Sequence, residues 1–82
     1  MANTFHLTIA RVGETLFEGE AVSARFPGTE GQFTVLAHHE PFVSQLTAGA
    51  VLVSTAENKN LEFPVSATGV VEVSGGQATV LL

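Results

Sequence analysis

The apolar residues of this chain recur at every second position, and that spacing excludes most helical folds. Phe5, Leu7 and Ile9 alternate with Thr4, His6 and Thr8. Val22, Ala24 and Phe26 alternate with Ala21, Ser23 and Arg25, and Leu61, Phe63 and Val65 form the inward face of a later run. Successive side chains of a strand point to opposite faces, so a period of two marks strands with one face buried. No window carries a convincing helical period. Residues 42–48 hold Val, Ser and Thr, which disfavour a helix there.

Breakers divide these runs. Val12-Gly13-Glu14-Thr15 turns the chain, after which Leu16-Phe17-Glu18 pairs briefly. Pro27-Gly28 ends the next run and suits a type II turn, because Pro sets φ at the first central position and Gly supplies the positive φ of the second. Gly31 opens the run Gln32 to Leu36. Ala37-His38-His39-Glu40-Pro41 is a polar corner, since Pro41 has no N–H to give to a ladder. Phe42 to Leu46 is extended, Thr47-Ala48-Gly49 turns, and Ala50 to Thr55 is a Val-rich strand. Glu57-Asn58-Lys59-Asn60 is a hairpin tip. Val70 to Val73 and Ala78 to Leu82 are strands joined at Gly75-Gly76. Turn signals this close together predict an all-β sandwich or barrel of about nine or ten short strands in one domain. Val80-Leu81-Leu82 is too apolar for a bare edge, so the last strand is expected to be internal to a sheet or the sequence to be cut there.

Size and charge narrow the function. The chain has 82 residues, no Cys and 13% charged residues. A domain near this length buries only about 60% of its unfolded surface. Without disulfides or a thiolate zinc site, it calls for a partner. Eight Glu stand against two Arg and one Lys, a net charge of -5. Three scattered cations make no basic stripe, which argues against nucleic acid and against docking on anionic lipid. No segment approaches the ~20 apolar residues of a bilayer span, so no direct membrane insertion is expected. Met1-Ala2-Asn3-Thr4-Phe5-His6 lacks the basic-then-apolar pattern of a signal peptide.

Chemistry-bearing clusters are few. His38-His39-Glu40 is the only one that looks like a site, yet neighbouring residues of a strand face opposite ways and cannot easily share a metal. A polar turn or interface loop is the expected reading, with no metal and no cofactor. Nucleophilic catalysis needs Ser or Cys beside a positioned base, and no Gly-x-Ser-x-Gly elbow exists. Gly28-Thr29-Glu30-Gly31 lacks the Lys-Ser/Thr and the helix of a phosphate cradle. Lys59, the only Lys, sits between Asn58 and Asn60 at a hairpin tip. That placement also suits a free-standing biotinyl or lipoyl carrier module, although such modules set the Lys near mid-chain behind Met or Asp.

An ordered series of motifs is more specific. It runs Phe17-Glu18-Gly19-Glu20-Ala21, then Phe26-Pro27-Gly28-Thr29-Glu30-Gly31-Gln32-Phe33-Thr34-Val35-Leu36. His39-Glu40-Pro41-Phe42-Val43, Leu46-Thr47-Ala48-Gly49, Gly69-Val70-Val71-Glu72-Val73 and Ala78-Thr79-Val80-Leu81 follow. In this order and spacing the chain resembles the N-terminal β domain of the epsilon subunit of F-type ATP synthases, called delta in mitochondria. The resemblance covers about Phe5 to Leu82. Three departures stand out: Ala67-Thr68-Gly69 where the family commonly has Ser-Gly-Gly, His38 where members often have Gly, and no C-terminal helical hairpin after Leu82.

The resemblance implies a flattened β-sandwich of two five-stranded sheets. It implies a non-catalytic rotor subunit at the foot of the central stalk, peripheral at the cytoplasmic face of a bacterial membrane. The partners would be the gamma subunit and the loops of the c-ring, with no small-molecule substrate. Carried over by position, Glu30, Gly31, Gln32 and Phe33, together with His38, His39, Glu40, Pro41 and Phe42, would face the c-ring. Gln32 stands where the family carries a charged contact residue, so no strong ion pair is expected there.

Overall fold

The computed structural model describes residues 3–82, and these contain strands and turns but no helix. Eight strands follow one another: β1 (Phe5–Arg11), β2 (Glu14–Gly28), β3 (Gly31–Leu36), β4 (Phe42–Leu46), β5 (Gly49–Thr55), β6 (Asn60–Val65), β7 (Gly69–Ser74) and β8 (Gln77–Leu81). The count is eight rather than nine or ten, and one strand of the difference arises because the two runs expected on either side of Gly19 are one 15-residue strand, β2. β2 pairs with β1 through Ala21 and with β3 from Ser23 onward. Its other edge takes β5 at residues 21–25 and β4 at Gly28.

β2 therefore serves both layers of a β-sandwich. One layer holds the first half of β2, then β1, β8, β7 and β4; the other holds β3, the second half of β2, β5 and β6. Counted this way the sheets have five and four strands rather than five each. All pairs are antiparallel except β1 with β8. β8 lies between β1 and β7, so the apolar run at Val80 to Leu81 is internal to a sheet, the first of the two expected alternatives. The molecule is flattened, 36 × 24 × 20 Å.

The inward rows follow the ladder. Phe17, Ile9, Val80 and Val71 align across four strands, as do Leu7, Ala78, Val73 and Phe42. Ala24, Phe26, Val35, Val51, Val53 and Val65 answer from the other layer, and Phe26, Leu7 and Ile9 are fully buried. Phe17 and Phe63 meet across the sandwich with ring centroids 5.9 Å apart. The Phe17 ring also lies over Gly19, where a Cβ would come within 3.3 Å of it, which gives the Phe-x-Gly motif a packing reason.

Two expectations are corrected. Strict alternation sets Ala21 on the face of Ser23 and Arg25, opposite Ala24 and Phe26, but Ala21 is fully buried, as those two are. The β2–β5 register shifts between Ala21 and Ser23, and this bulge inserts one residue, so the inward face passes from Ala21 to Ala24. Pro27-Gly28 is not the turn. Both belong to β2, and a two-residue connection, Thr29-Glu30, leads to Gly31 at φ 124°. Pro27 fits a strand in part because the Thr47 N–H supplies its carbonyl with a partner at 2.8 Å. Gly75 and Gly76, both at positive φ, make the expected two-residue link from β7 to β8. Thr68 is not among the positive-φ residues, so the position where the resemblance implies Gly does not call for one here on account of its φ.

Gly28 is glycine for lack of room rather than for its φ. A Cβ there would lie 2.7 Å from the Gly31 carbonyl oxygen and 2.9 Å from the Phe33 ring. Gly28→Ala is expected to lower stability by ~1–3 kcal/mol, since a backbone atom cannot swing aside. Gly13→Ala is the control. It sits at positive φ with open space around it and so reports backbone strain alone. Chemical denaturation checks both, and equal midpoints for Gly28→Ala and the parent chain would contradict the clash.

Candidate functional site

The segments singled out by sequence flank one strand. Glu30 is exposed in the turn before β3, Gly31 and Gln32 are exposed at its start, and Phe33 is half-buried within it. His38, His39, Glu40 and Pro41 form the exposed loop after β3, and Phe42, half-buried, begins β4. The Glu30 turn and the His38 loop thus lie at opposite ends of a six-residue strand, ~17 Å apart along it.

Aromatic contacts tie the two segments together. Phe33 stacks on the buried Phe26 at 5.4 Å and meets Phe42 edge-on at 5.4 Å. The His39 ring then lies 4.9 Å from Phe42. An open depression of about 530 Å³ separates Glu30, Gln32 and Phe33 from Phe42, Val43 and Gln45. His38, Glu40 and Pro41 stand outside it. His39 Nδ1 lies 3.0 Å from the Glu40 carbonyl oxygen, a bond that orders the corner without building a metal or catalytic arrangement.

His38 occupies the third position of a turn closed by the His39 N–H donating to Leu36 O at 3.3 Å, and its φ is 68°. That conformation favours Gly, the residue the resemblance implies at this place. His38→Gly is expected to leave stability unchanged or raise it by up to ~1 kcal/mol, and His38→Val to lower it, as read from thermal unfolding.

Sequence reasoning missed two features. Leu36 and Val43 are 54% and 67% exposed, on β3 and β4. Their place was hidden because both sit in apolar strand patterns whose outward face only the register identifies. The second feature is His6 on the outer face of β1. Its Nδ1 lies 3.1 Å from Glu20 and its Nε2 3.1 Å from Glu18, while the Thr4 hydroxyl donates to Glu20 at 2.8 Å. Both ring nitrogens can donate only in the imidazolium. The two carboxylates meet different nitrogens, so the three groups share no point for a metal. The signal was present in the alternation, since positions 6, 18 and 20 fall on one outward face once the β1–β2 register is known.

The Glu20 hydrogen bond, then that of Glu18, holds His6 above its ordinary value of 6.5. The Thr4 hydroxyl, then His6, holds Glu20 below 4.5. A raised His contributes stability that is full below 6.5 and lost as pH rises through its folded value. A lowered Glu contributes stability that is full above 4.5 and lost as pH falls through its folded value. The cluster should therefore stabilise most between about pH 4.5 and 6.5. His6→Gln should lower the melting temperature in that window and leave it nearly unchanged above neutral pH. Parallel melting curves for the two chains at pH 5.5 and pH 8 check this, and an equal loss at both values would contradict it.

Lys59 lies where expected, at the β5–β6 tip. Its N–H donates to Thr55 Oγ1 at 3.1 Å and its carbonyl accepts from the Thr55 N–H at 2.8 Å, with Asn58 at φ 65° before it. These bonds describe a tight hairpin loop around the buried Thr55.

Comparison with known proteins agrees with the fold. Residues 4–82 match the family described as ATP synthase, Delta/Epsilon chain, beta-sandwich domain. The ATP synthase epsilon chain of Herminiimonas arsenicoxydans is 33% identical over 81 residues, covering 99% of this chain and 58% of that protein. That of Polaromonas naphthalenivorans is 33% identical over 79 residues, 96% of this chain and 56% of its own. The chain thus spans little more than half the length of these relatives. A chain in a structure of the Euglena gracilis mitochondrial ATP synthase, comprising OSCP, F1 and c-ring, superposes with a TM-score of 0.89 at 25% identity, over 99% of this chain and 51% of that one. A chain of the Tetrahymena thermophila mitochondrial ATP synthase central stalk and c-ring shares the fold, with a TM-score of 0.74 at 14% identity. An unbroken match from residue 4 to residue 82, on a two-layer sandwich built around one shared strand, shows that the chain belongs to the ATP synthase delta/epsilon family and carries its β-sandwich domain.

Proposed function

We propose that this chain acts as the β-sandwich part of a non-catalytic central-stalk subunit of a rotary ATP synthase. It bridges the gamma subunit to the c-ring and helps couple ion translocation to ATP synthesis or hydrolysis. The observation that carries the reading is the family match across 4–82, together with relatives named ATP synthase epsilon chain. In this reading the complex sits at the cytoplasmic face of the membrane, and the chain is peripheral to it. The Glu30–Phe33 segment and the His38–Phe42 loop face the c-ring, and another face holds gamma.

Physical features support the assignment. Short links such as Thr29-Glu30 and Gly75-Gly76 leave little slack between strands, which suits a part that transmits torque. Glu30 and Glu40 are exposed at the two ends of β3, and carboxylates there complement a basic partner surface, fixing orientation more than affinity.

Co-expression of the chain with its cognate gamma and c subunits is the test. A stable complex is expected, and failure to form one with correctly folded gamma counts against the reading. His39→Ala and Pro41→Ala should weaken ring association about tenfold, ~1.4 kcal/mol, while the isolated domain keeps its melting temperature within a few degrees. Both side chains are exposed and outside the core.

A further inference from the structure

Each layer of the sandwich has two outer strands, and an outer strand offers its backbone donors and acceptors to any extended chain. Three of the four outer strands are defended. The first half of β2 carries Glu14 and Glu18, and its register with β1 shifts at Ile9–Ala10, leaving Leu16 as the extra residue. β6 carries Glu62 and Pro64, which has no N–H. β4 is partly closed by the β2–β3 turn, where Thr29 N donates to Gln45 O at 3.2 Å. β3 has no such device. Gln32 to Leu36 holds no charge, no Pro and no bulge, and Leu36 is 54% exposed.

The ladder shows which groups of β3 are free. Pro27 cannot donate, so the Pro27–Gln32 pair is one of the pairs that exchange no hydrogen bonds. Antiparallel pairing alternates, so Arg25–Thr34 and Ser23–Leu36 are pairs of the same kind. The N–H groups of Gln32, Thr34 and Leu36 and the carbonyls of Gln32 and Thr34 therefore point away from β2. Among the described residues, only the Leu36 carbonyl of these groups has a backbone partner, the His39 N–H at 3.3 Å. Among the described residues β3 pairs with β2 alone.

The geometry points to the free edge of β3 as a strand-addition site for an extended segment of a different polypeptide, uncharged over about five residues and flanked by Lys or Arg. The alternating free donors and acceptors select an extended backbone. Exposed Leu36, with Thr34 and Gln32 on the same outward face, accepts small apolar and polar side chains. Glu30 before the strand and Glu40 after it select cations at both ends of the guest. The same two carboxylates disfavour a second copy of this chain. Its β3 is flanked by carboxylates rather than by the cations that Glu30 and Glu40 select. The inference takes its setting from the functional reading above and adds the mode of contact.

Thr34→Pro is the test. It removes a donor that points outward while the ladder to β2 keeps all its bonds. Thr34→Ala, which keeps the N–H, is the control. In co-expression with the cognate gamma and c subunits, Thr34→Pro should weaken association at least tenfold while Thr34→Ala should not. In the wild-type complex, hydrogen exchange at the Gln32, Thr34 and Leu36 amides should slow at least tenfold relative to the free chain. This second measurement holds even where Thr34→Pro folds poorly. Wild-type assembly with unchanged exchange at all three amides overturns strand addition and leaves the functional reading intact. No wild-type assembly overturns both. A wild-type homodimer that Thr34→Pro abolishes overturns the choice of guest, because the edge then belongs to a second copy.

Discussion

The requirement that one strand serve two layers governs this molecule. β2 must line β1 with its first half and β3 with its second, and it must face the core throughout. A uniform period of two cannot do this while the strand bends from one layer into the other. The bulge between Ala21 and Ser23 supplies the missing residue and sharpens the twist. Past it, Ala24 and Phe26 return to the interior, and the strand runs on through Pro27 to Gly28, where no side chain fits. The tight Thr29-Glu30 connection follows from that lack of room, so the position of β3 and of both loops beside it descends from the path of β2.

A line of rings carries the interior to the surface along the same route. Phe26 is fully buried, Phe33 stacks on it, Phe42 meets Phe33, and His39 lies against Phe42. The two Phe pairs at these spacings add roughly 0.5–1.5 kcal/mol each beyond their buried area. They also fix the loop after β3 to the core rather than letting it hang free. The charges are distributed differently. His6, Glu18 and Glu20 lie on the outer face of β1 and β2, whereas the strands beside the depression, β3 and β4, carry no charge at all. An uncharged rim with carboxylates only at its corners differs from an ordinary solvated surface.

Much of this was legible in the residues. The alternation of Phe5, Leu7 and Ile9 located a buried face, and all three are in the core. Gly75-Gly76 marked a turn, Pro41 a corner and Asn58-Lys59 a hairpin tip, because each residue has a local backbone preference that needs no partner to be read. What escaped depended on pairing between distant segments. Pro27-Gly28 has the local chemistry of a turn, yet the Thr47 N–H and the Gln32 pair hold it in a strand. Ala21 and Val22 cannot be assigned to faces without the β5 register. The family resemblance located the candidate loops but not the ladder between them. The free edge of β3 and the outward side of Leu36 became visible only when the position of Pro27 set the phase of the hydrogen bonds.

Marginal stability connects these points. A chain near 80 residues without disulfides has little free energy in reserve, and it leaves the donors of Gln32, Thr34 and Leu36 to water. A guest bound only to the folded form stabilises it by RT ln(1 + [L]/Kd), about 2.7 kcal/mol at a hundredfold excess over Kd. That is a sizeable fraction of the few kcal/mol such a domain holds. β3 also packs through Phe33 on Phe26, so a guest that fixes β3 acts on the fully buried ring at the centre of the fold. The edge that makes the isolated domain incomplete is thus the element through which a partner would stiffen it.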